Sequence, residues 1–137
     1  MGIVNVTPDS FSDGGRFAAA DDAIAHGLLL ASQGADWVDV GGESTRPGAA
    51  RIDPAAELER VLRVVQELAD AGIAVSIDTL NASTALRAVE AGARLVNDVS
   101  GGLSDPGMLA AMAEASAGRG ADVGLGHWRG QSSDMYA

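Results

Sequence analysis

The sequence predicts an α/β fold made of consecutive βαβ units around a parallel sheet, and three observations carry that prediction. Short apolar runs suited to buried parallel strands occur at 2–6, 37–40, 74–77 and 95–96, with a weaker fifth at 123–125. Helical patterns fill the intervals, and the order helix, glycine, apolar strand recurs at Gly34, Gly72 and Gly92. Each strand ends in polar groups: Asn5, Asp39, Asp78, Asn97 with Asp98, and His127. In parallel α/β folds ligands gather outside the carboxyl ends of the strands, and the crossovers are right-handed. Five such strand ends in succession are harder to explain as helix caps than any one of them alone.

The first strand runs into the loop of Met1-Gly-Ile-Val-Asn-Val-Thr-Pro-Asp-Ser-Phe-Ser-Asp-Gly-Gly15. Asn5 brings an amide oxygen, Asp9 and Asp13 carboxylates, and Thr7, Ser10 and Ser12 hydroxyls. Phe11 stands among them as one large apolar face. A loop with no task seldom places a Phe between two acids, so this one is expected to close over something small, polar and partly flat. A helix over 23–33 follows, with His26 as a solvated residue, and then the second strand with its loop Gly41-Gly-Glu-Ser-Thr-Arg-Pro-Gly-Ala49. The clearest helix spans 54–71: Asp53 is the expected N-cap, Pro54 fits the first turn, and Gly72 ends it. Leu58, Val61, Leu62, Val65 and Leu68 recur at helical spacing on one stripe. The third strand ends at Asp78, a helix spans 82–91, and the fourth strand ends at Asn97-Asp98. Asp105-Pro106 is expected to open a fourth helix running to 115.

A chain of 137 residues that is 47% hydrophobic is sized for one domain and one core. Nine basic residues against nineteen acidic ones give a net charge of −10, which argues against a nucleic-acid partner or an anionic membrane surface. No cysteine is present, which removes disulfides, thiolate metal sites and a cysteine nucleophile. No apolar run approaches the roughly 20 residues of a membrane span, and no basic-then-apolar leader occurs, so a soluble cytoplasmic protein with no membrane partner is expected. Neither GxGxxG nor a P-loop pattern appears, which disfavours a nucleotide-binding open sheet.

Four segments resemble the signatures of the dihydropteroate synthase family in order and spacing. They are the opening run to Gly15; Gly34-Ala-Asp-Trp-Val-Asp-Val-Gly-Gly-Glu-Ser-Thr-Arg-Pro-Gly-Ala49; Val75-Ser-Ile-Asp-Thr79 with Leu95-Val-Asn-Asp-Val-Ser-Gly-Gly102; and His127-Trp-Arg-Gly130. Five strands in this length would also suit a flavodoxin-like open sheet. The resemblance instead implies a (β/α)8 TIM barrel, a fold of about 250 residues. Residues 1–137 would then be an N-terminal fragment, a partial barrel of about the first five strands and four helices. The implied activity is condensation of 6-hydroxymethyl-7,8-dihydropterin diphosphate with para-aminobenzoate to 7,8-dihydropteroate and diphosphate, in folate biosynthesis. Sulfonamides would occupy the arylamine slot. A homodimer is implied for the full-length protein.

The resemblance also implies roles residue by residue. Asn5 matches the family's Mg2+-contacting Asn, and a neutral oxygen suits a hard ion that keeps waters and phosphate oxygens. Thr45, Asp78 and Asn97 match contacts to the pterin diphosphate, Asp78 and Asn97 at the ring edge. Phe11 and Pro47 match the apolar residues of the para-aminobenzoate slot formed by the two loops; Arg46, placed in the same slot, either meets anionic oxygen or is a solvated surface arginine. Asp13 and Asp78 are the catalytic candidates, Asp13 near the reacting centre where a carboxylate stabilises a developing cation. Glu43 and Ser44 shape the second loop without a chemical role, and His127 either faces the site or bridges backbone groups after the fifth strand. The family's later pterin-binding Asp and Lys and its final Arg-x-His group have no counterpart, and the chain contains no lysine. A leaving diphosphate needs such cations, so the 137-residue chain alone is expected to be inactive and the parent protein a synthase. The alternatives are a non-catalytic homologue serving as subunit or binding partner, and a pterin-binding domain that hands methyl groups to a corrinoid.

Overall fold

A computed structural model of the chain describes residues 1–6, 15–43 and 52–126, without the side chains of 15–17. Its elements are β1 (Gly2–Asn5), α1 (Gly15–Ser32), β2 (Trp37–Gly41), α2 (Pro54–Asp70), β3 (Ala74–Asp78), α3 (Ala82–Glu90), β4 (Leu95–Asp98), α4 (Met108–Arg119) and β5 (Asp122–Leu125). All strand pairs are parallel, and the sheet order is β1-β2-β3-β4-β5. A flavodoxin-like sheet has the order 2-1-3-4-5 with its helices split between two faces. Here the order follows the chain, and α1, α2, α3 and α4 each pack on the next. The molecule is an arc of an α/β barrel, with one helical layer outside and one sheet face inside.

Register decides which residues face which side, because strand partners point the same way. A Cβ at Gly2 would strike Leu30 of α1 at 2.8 Å, so the row Gly2, Val38, Val75 faces the helices. The row Val4, Val40, Ile77, Val96 does the same and is almost wholly excluded from water. β-Branched residues dominate these rows because they pack well on a pleated surface. Against them α2 lays Val61, Val64, Val65 and Leu68, all fully buried. Leu58 and Leu62, expected on that stripe, are half-buried at its margin. The intervening rows, Ile3 with Asp39 and Ser76, and Asn5 with Gly41, Asp78 and Asn97, face the inside of the arc.

Three expectations about helix ends are corrected. α1 begins at Gly15 rather than near 23, because the alanine-rich run at 18–20 prefers helix although it lacks an apolar period. Asp53 has the extended backbone of an N-cap, but its side chain makes no cap bond. Asp105 does not open a helix at its own position. Its Oδ2 accepts from Ala82 N at 2.8 Å and so serves the start of α3, while α4 begins at Met108 and ends at Gly120 with φ +68°.

Among the described residues β1 and β5 are the sheet edges, and Ile3, Leu29, Val123 and Leu125 are exposed. No helix among them is long and apolar enough to cross a membrane.

Candidate functional site

The strand ends converge as register dictates. Asn5 pairs with Gly41, Gly41 with Asp78, Asp78 with Asn97, and Asn97 with Gly124, so three of the candidate residues share one inward row. The glycines matter because they carry no side chain. A Cβ at Gly41 would lie 3.4 Å from Asp78 Oδ2, and one at Gly124 would lie 3.6 Å from Asn97 Oδ1. The Asp78–Asn97 pair is therefore flanked on each side by a strand residue without a side chain, and Asn5 lies beyond Gly41, exposed on β1.

The row beneath contains Asp39 and Ser76 as register partners, both buried although polar. Asp39 Oδ1, Ser76 Oγ and Asp78 Oδ1 are buried without hydrogen-bond partners. Groups in that condition are exceptional in folded proteins. Burial pushes the Asp39 carboxyl above the usual carboxylate range, offset in part by the nearby Ser76 and Asn97 side chains. Asp78 is pushed up to about 7, first by burial and then by the negative charges of Asp39, Glu57, Asp98 and Glu43. Its carboxyl thus keeps a proton to higher pH than an ordinary carboxylate, and the protonated form can donate where the ionised form only accepts.

Other carboxylates are committed to the scaffold. Asp98 is fully buried; its Oδ1 accepts from Ser100 N at 2.8 Å and its Oδ2 from Gly102 N at 3.0 Å. This holds the turn after β4, where Gly101 and Gly102 take φ of +66° and +85°. Glu43 Oε1 accepts from Ile52 N at 3.3 Å, and Arg60 Nη1 donates to Gly42 O at 2.8 Å, which ties the end of β2 to the start of α2. Glu57, to which the sequence reading gave no role, is fully buried within a cluster of Thr79, Asn81 and Thr84. A signal for it exists: Glu57 shares the helical stripe of Val61, Val64 and Leu68, where a carboxylate needs partners. Asp39, expected at the end of its strand, instead lies in the middle of β2, one inward row beneath Asp78, and is buried there.

Phe11, Asp13, Thr45, Arg46, Pro47 and His127 lie outside the described residues. Among the described residues no three His, Cys, Asp or Glu side chains are grouped to hold a metal ion. His26 is exposed on α1, as expected.

Comparison with known proteins adds four findings. The family model described as "Pterin binding enzyme" matches residues 1–137, the whole chain. The dihydropteroate synthase of Mycobacterium leprae is 55% identical over 134 residues, covering 98% of this chain and 46% of that protein. Among solved structures, the Yersinia pestis dihydropteroate synthase with a sulfonamide drug complex superposes with a TM-score of 0.85 at 45% identity, over 99% of this chain and 48% of that one. The Anaplasma phagocytophilum dihydropteroate synthase with bound 6-hydroxymethylpterin-monophosphate superposes with a TM-score of 0.82 at 44% identity, over 94% and 48%. The chain spans about half the length of the relatives it matches.

Proposed function

The chain belongs to the pterin-binding enzyme family, and from that premise we propose that its strand ends form the pterin-holding part of a dihydropteroate synthase, with residues 1–137 as the N-terminal half of the barrel. The observation that carries this reading is the inward row of Asn5, Asp78 and Asn97, with glycines on both sides of the Asp78–Asn97 pair. A pterin ring presents N–H donors and ring acceptors along one edge. Asp78 Oδ1, buried without a partner, supplies an acceptor for such a donor, and the Asn97 amide supplies both a donor and an acceptor. Gly41 and Gly124 add no side chain beside the pair, which leaves its flanks to a flat ring in this reading.

In the reaction the C–O bond at the pterin methylene breaks and diphosphate leaves. The arylamine nitrogen forms the new C–N bond and gives up a proton. Positive charge develops at the methylene and spreads into the ring. Asp78 holds the ring edge, and the carboxylates Asp39, Glu43, Glu57 and Asp98 behind it give the wall a negative potential that favours that charge. Ring binding through N–H donors favours the ionised form of Asp78, so the guest itself draws the proton off.

Asn5 fits a magnesium ion held jointly with substrate. Its neutral side chain stands exposed on the inward face, with no carboxylate cluster around it among the described residues. This donor set suits an ion that keeps waters and takes diphosphate oxygens. When bound, such an ion neutralises charge on the departing diphosphate. Thr45 is assigned to the pterin diphosphate, Phe11, Arg46 and Pro47 to para-aminobenzoate and competing sulfonamides, and Asp13 to the cationic centre. A cytoplasmic homodimer is proposed for the full-length protein.

Fluorescence titration of the 137-residue chain with 6-hydroxymethylpterin tests the assignment. Asp78→Ala and Asn97→Ala are each expected to weaken binding about tenfold, the loss of roughly one good hydrogen bond to a charged or amide group. Unchanged affinity in both variants would overturn it.

A further inference from the structure

Glu57 lies in the first turn of α2, wholly removed from water. Thr79 Oγ1 stands 2.9 Å from each of its carboxylate oxygens, Asn81 Nδ2 donates to Oε1 at 3.0 Å, and Thr84 Oγ1 donates to the same oxygen at 2.5 Å. All three partners belong to the turn that follows Asp78 or to the start of α3. Thr79 is fixed twice more, because its hydroxyl accepts from Asn81 N at 3.0 Å and its own N–H donates to Asn97 O at 3.2 Å. On its other side Glu57 meets β2. Its carbonyl lies 3.2 Å from the position of a Cβ on Gly42, and Arg60 in the next turn holds the Gly42 carbonyl.

A buried carboxylate is a costly way to fill space, and an apolar side chain of similar volume would pack as well. What the carboxylate adds is several converging acceptor directions and a negative charge. We infer that Glu57 is a positioning residue of the pterin site, acting through Thr79 to fix Asp78 and Asn97 side by side and tying both to the base of the loop after β2. This inference rests on the pterin assignment above. Its charge has a second effect: Glu57 is one of four carboxylates facing Asp78, with Asp39, Asp98 and Glu43, and each raises the proton affinity of Asp78.

The test is the affinity of the 137-residue chain for 6-hydroxymethylpterin measured from pH 5 to pH 9. Glu57→Gln keeps the shape and removes the charge, and Thr79→Val keeps the shape and removes the hydroxyl. Both are expected to weaken binding severalfold, and Glu57→Gln also to move the pH midpoint of binding downward. Val64→Ala opens a core cavity on the same helix and is expected to lower stability while leaving that midpoint in place. Wild-type affinity and midpoint in Glu57→Gln and Thr79→Val, alongside lost binding in Asp78→Ala, would overturn the role of Glu57 and leave the pterin assignment standing. No binding by the wild-type chain would overturn both. If Glu57→Gln does not fold, the affinity of Thr79→Val decides.

Discussion

Asp78 and Asn97 are register partners on β3 and β4, so a carboxyl and an amide leave the sheet together on its inward face from adjacent strands. Thr79 repeats the link one residue on, with its N–H on the Asn97 carbonyl. Neither residue is free to drift without the other. Glu57 bonds Thr79 behind the pair, and Gly41 and Gly124 flank it, so a local backbone register is tied to the shape of the strand-end row.

The acid cluster makes stability depend on pH in an unusual direction. Asp39, Glu57 and Asp78 are all raised, chiefly by burial. Between the ordinary carboxylate range and about 7, the folded chain therefore holds protons that the unfolded chain releases. Stability from these groups is fullest below the ordinary carboxylate range and is lost as pH rises above it, for Asp78 through about 7. Asp78→Asn is expected to raise unfolding stability at pH 8 by on the order of 1 to 4 kcal/mol, one pKa unit being about 1.4 kcal/mol, and to change little at pH 4. Urea denaturation at the two pH values measures this. Equal effects at both would contradict the assigned protonation.

Gly41→Ala separates the seat from the scaffold. The added methyl stands at ordinary contact distance from Asp78, 3.4 Å from its Oδ2, so the fold tolerates it. A stability change within about 1 kcal/mol is expected, with pterin affinity lowered severalfold in a titration. Unaltered affinity would mean that the guest does not use the space beside Asp78.

Leu68→Ala tests the packing of α2 on α1. Leu68 is fully buried, and its methyl groups fill the space against Gly27, where a Cβ would meet them at 2.7 and 2.9 Å. A loss of about 2 to 5 kcal/mol is expected for such a cavity, read from the shift of a urea denaturation midpoint.

Much of this architecture is legible in the sequence for a physical reason. A strand buried on its helix side needs β-branched residues there, and a strand that opens onto a ligand ends in polar groups. The runs ending at Asn5, Asp78 and Asn97 show both, and their shared row follows from parallel pairing. What escaped notice depends on contacts distant in sequence. Glu57 looks like an ordinary first-turn acid until Thr79, Asn81 and Thr84 are folded onto it. Asp105 has the form of a helix opener, yet it serves Ala82, 23 residues earlier in the chain. The start of α1 was hidden because its alanines have helix propensity but no apolar period.

Turnover is expected to need more cations than this chain carries. It has no lysine. Among the described arginines, Arg60 is bound to Gly42 O and Arg63 to Asp21 and Glu67. Incubated with both substrates and magnesium, the 137-residue chain should form no dihydropteroate above the enzyme-free rate. Product at the rate of a full-length synthase would show that leaving-group stabilisation resides within these residues.

The most direct measurement of the central claim is a nitrogen-15 NMR titration of the chain with 6-hydroxymethylpterin. The largest shifts are expected at the backbone amides of Asn5, Asp78 and Asn97 and at the Asn97 side-chain amide, with Gly41 and Gly124 close behind. Shifts confined to the outer faces of α1 to α4, with that row unmoved at saturation, would contradict it.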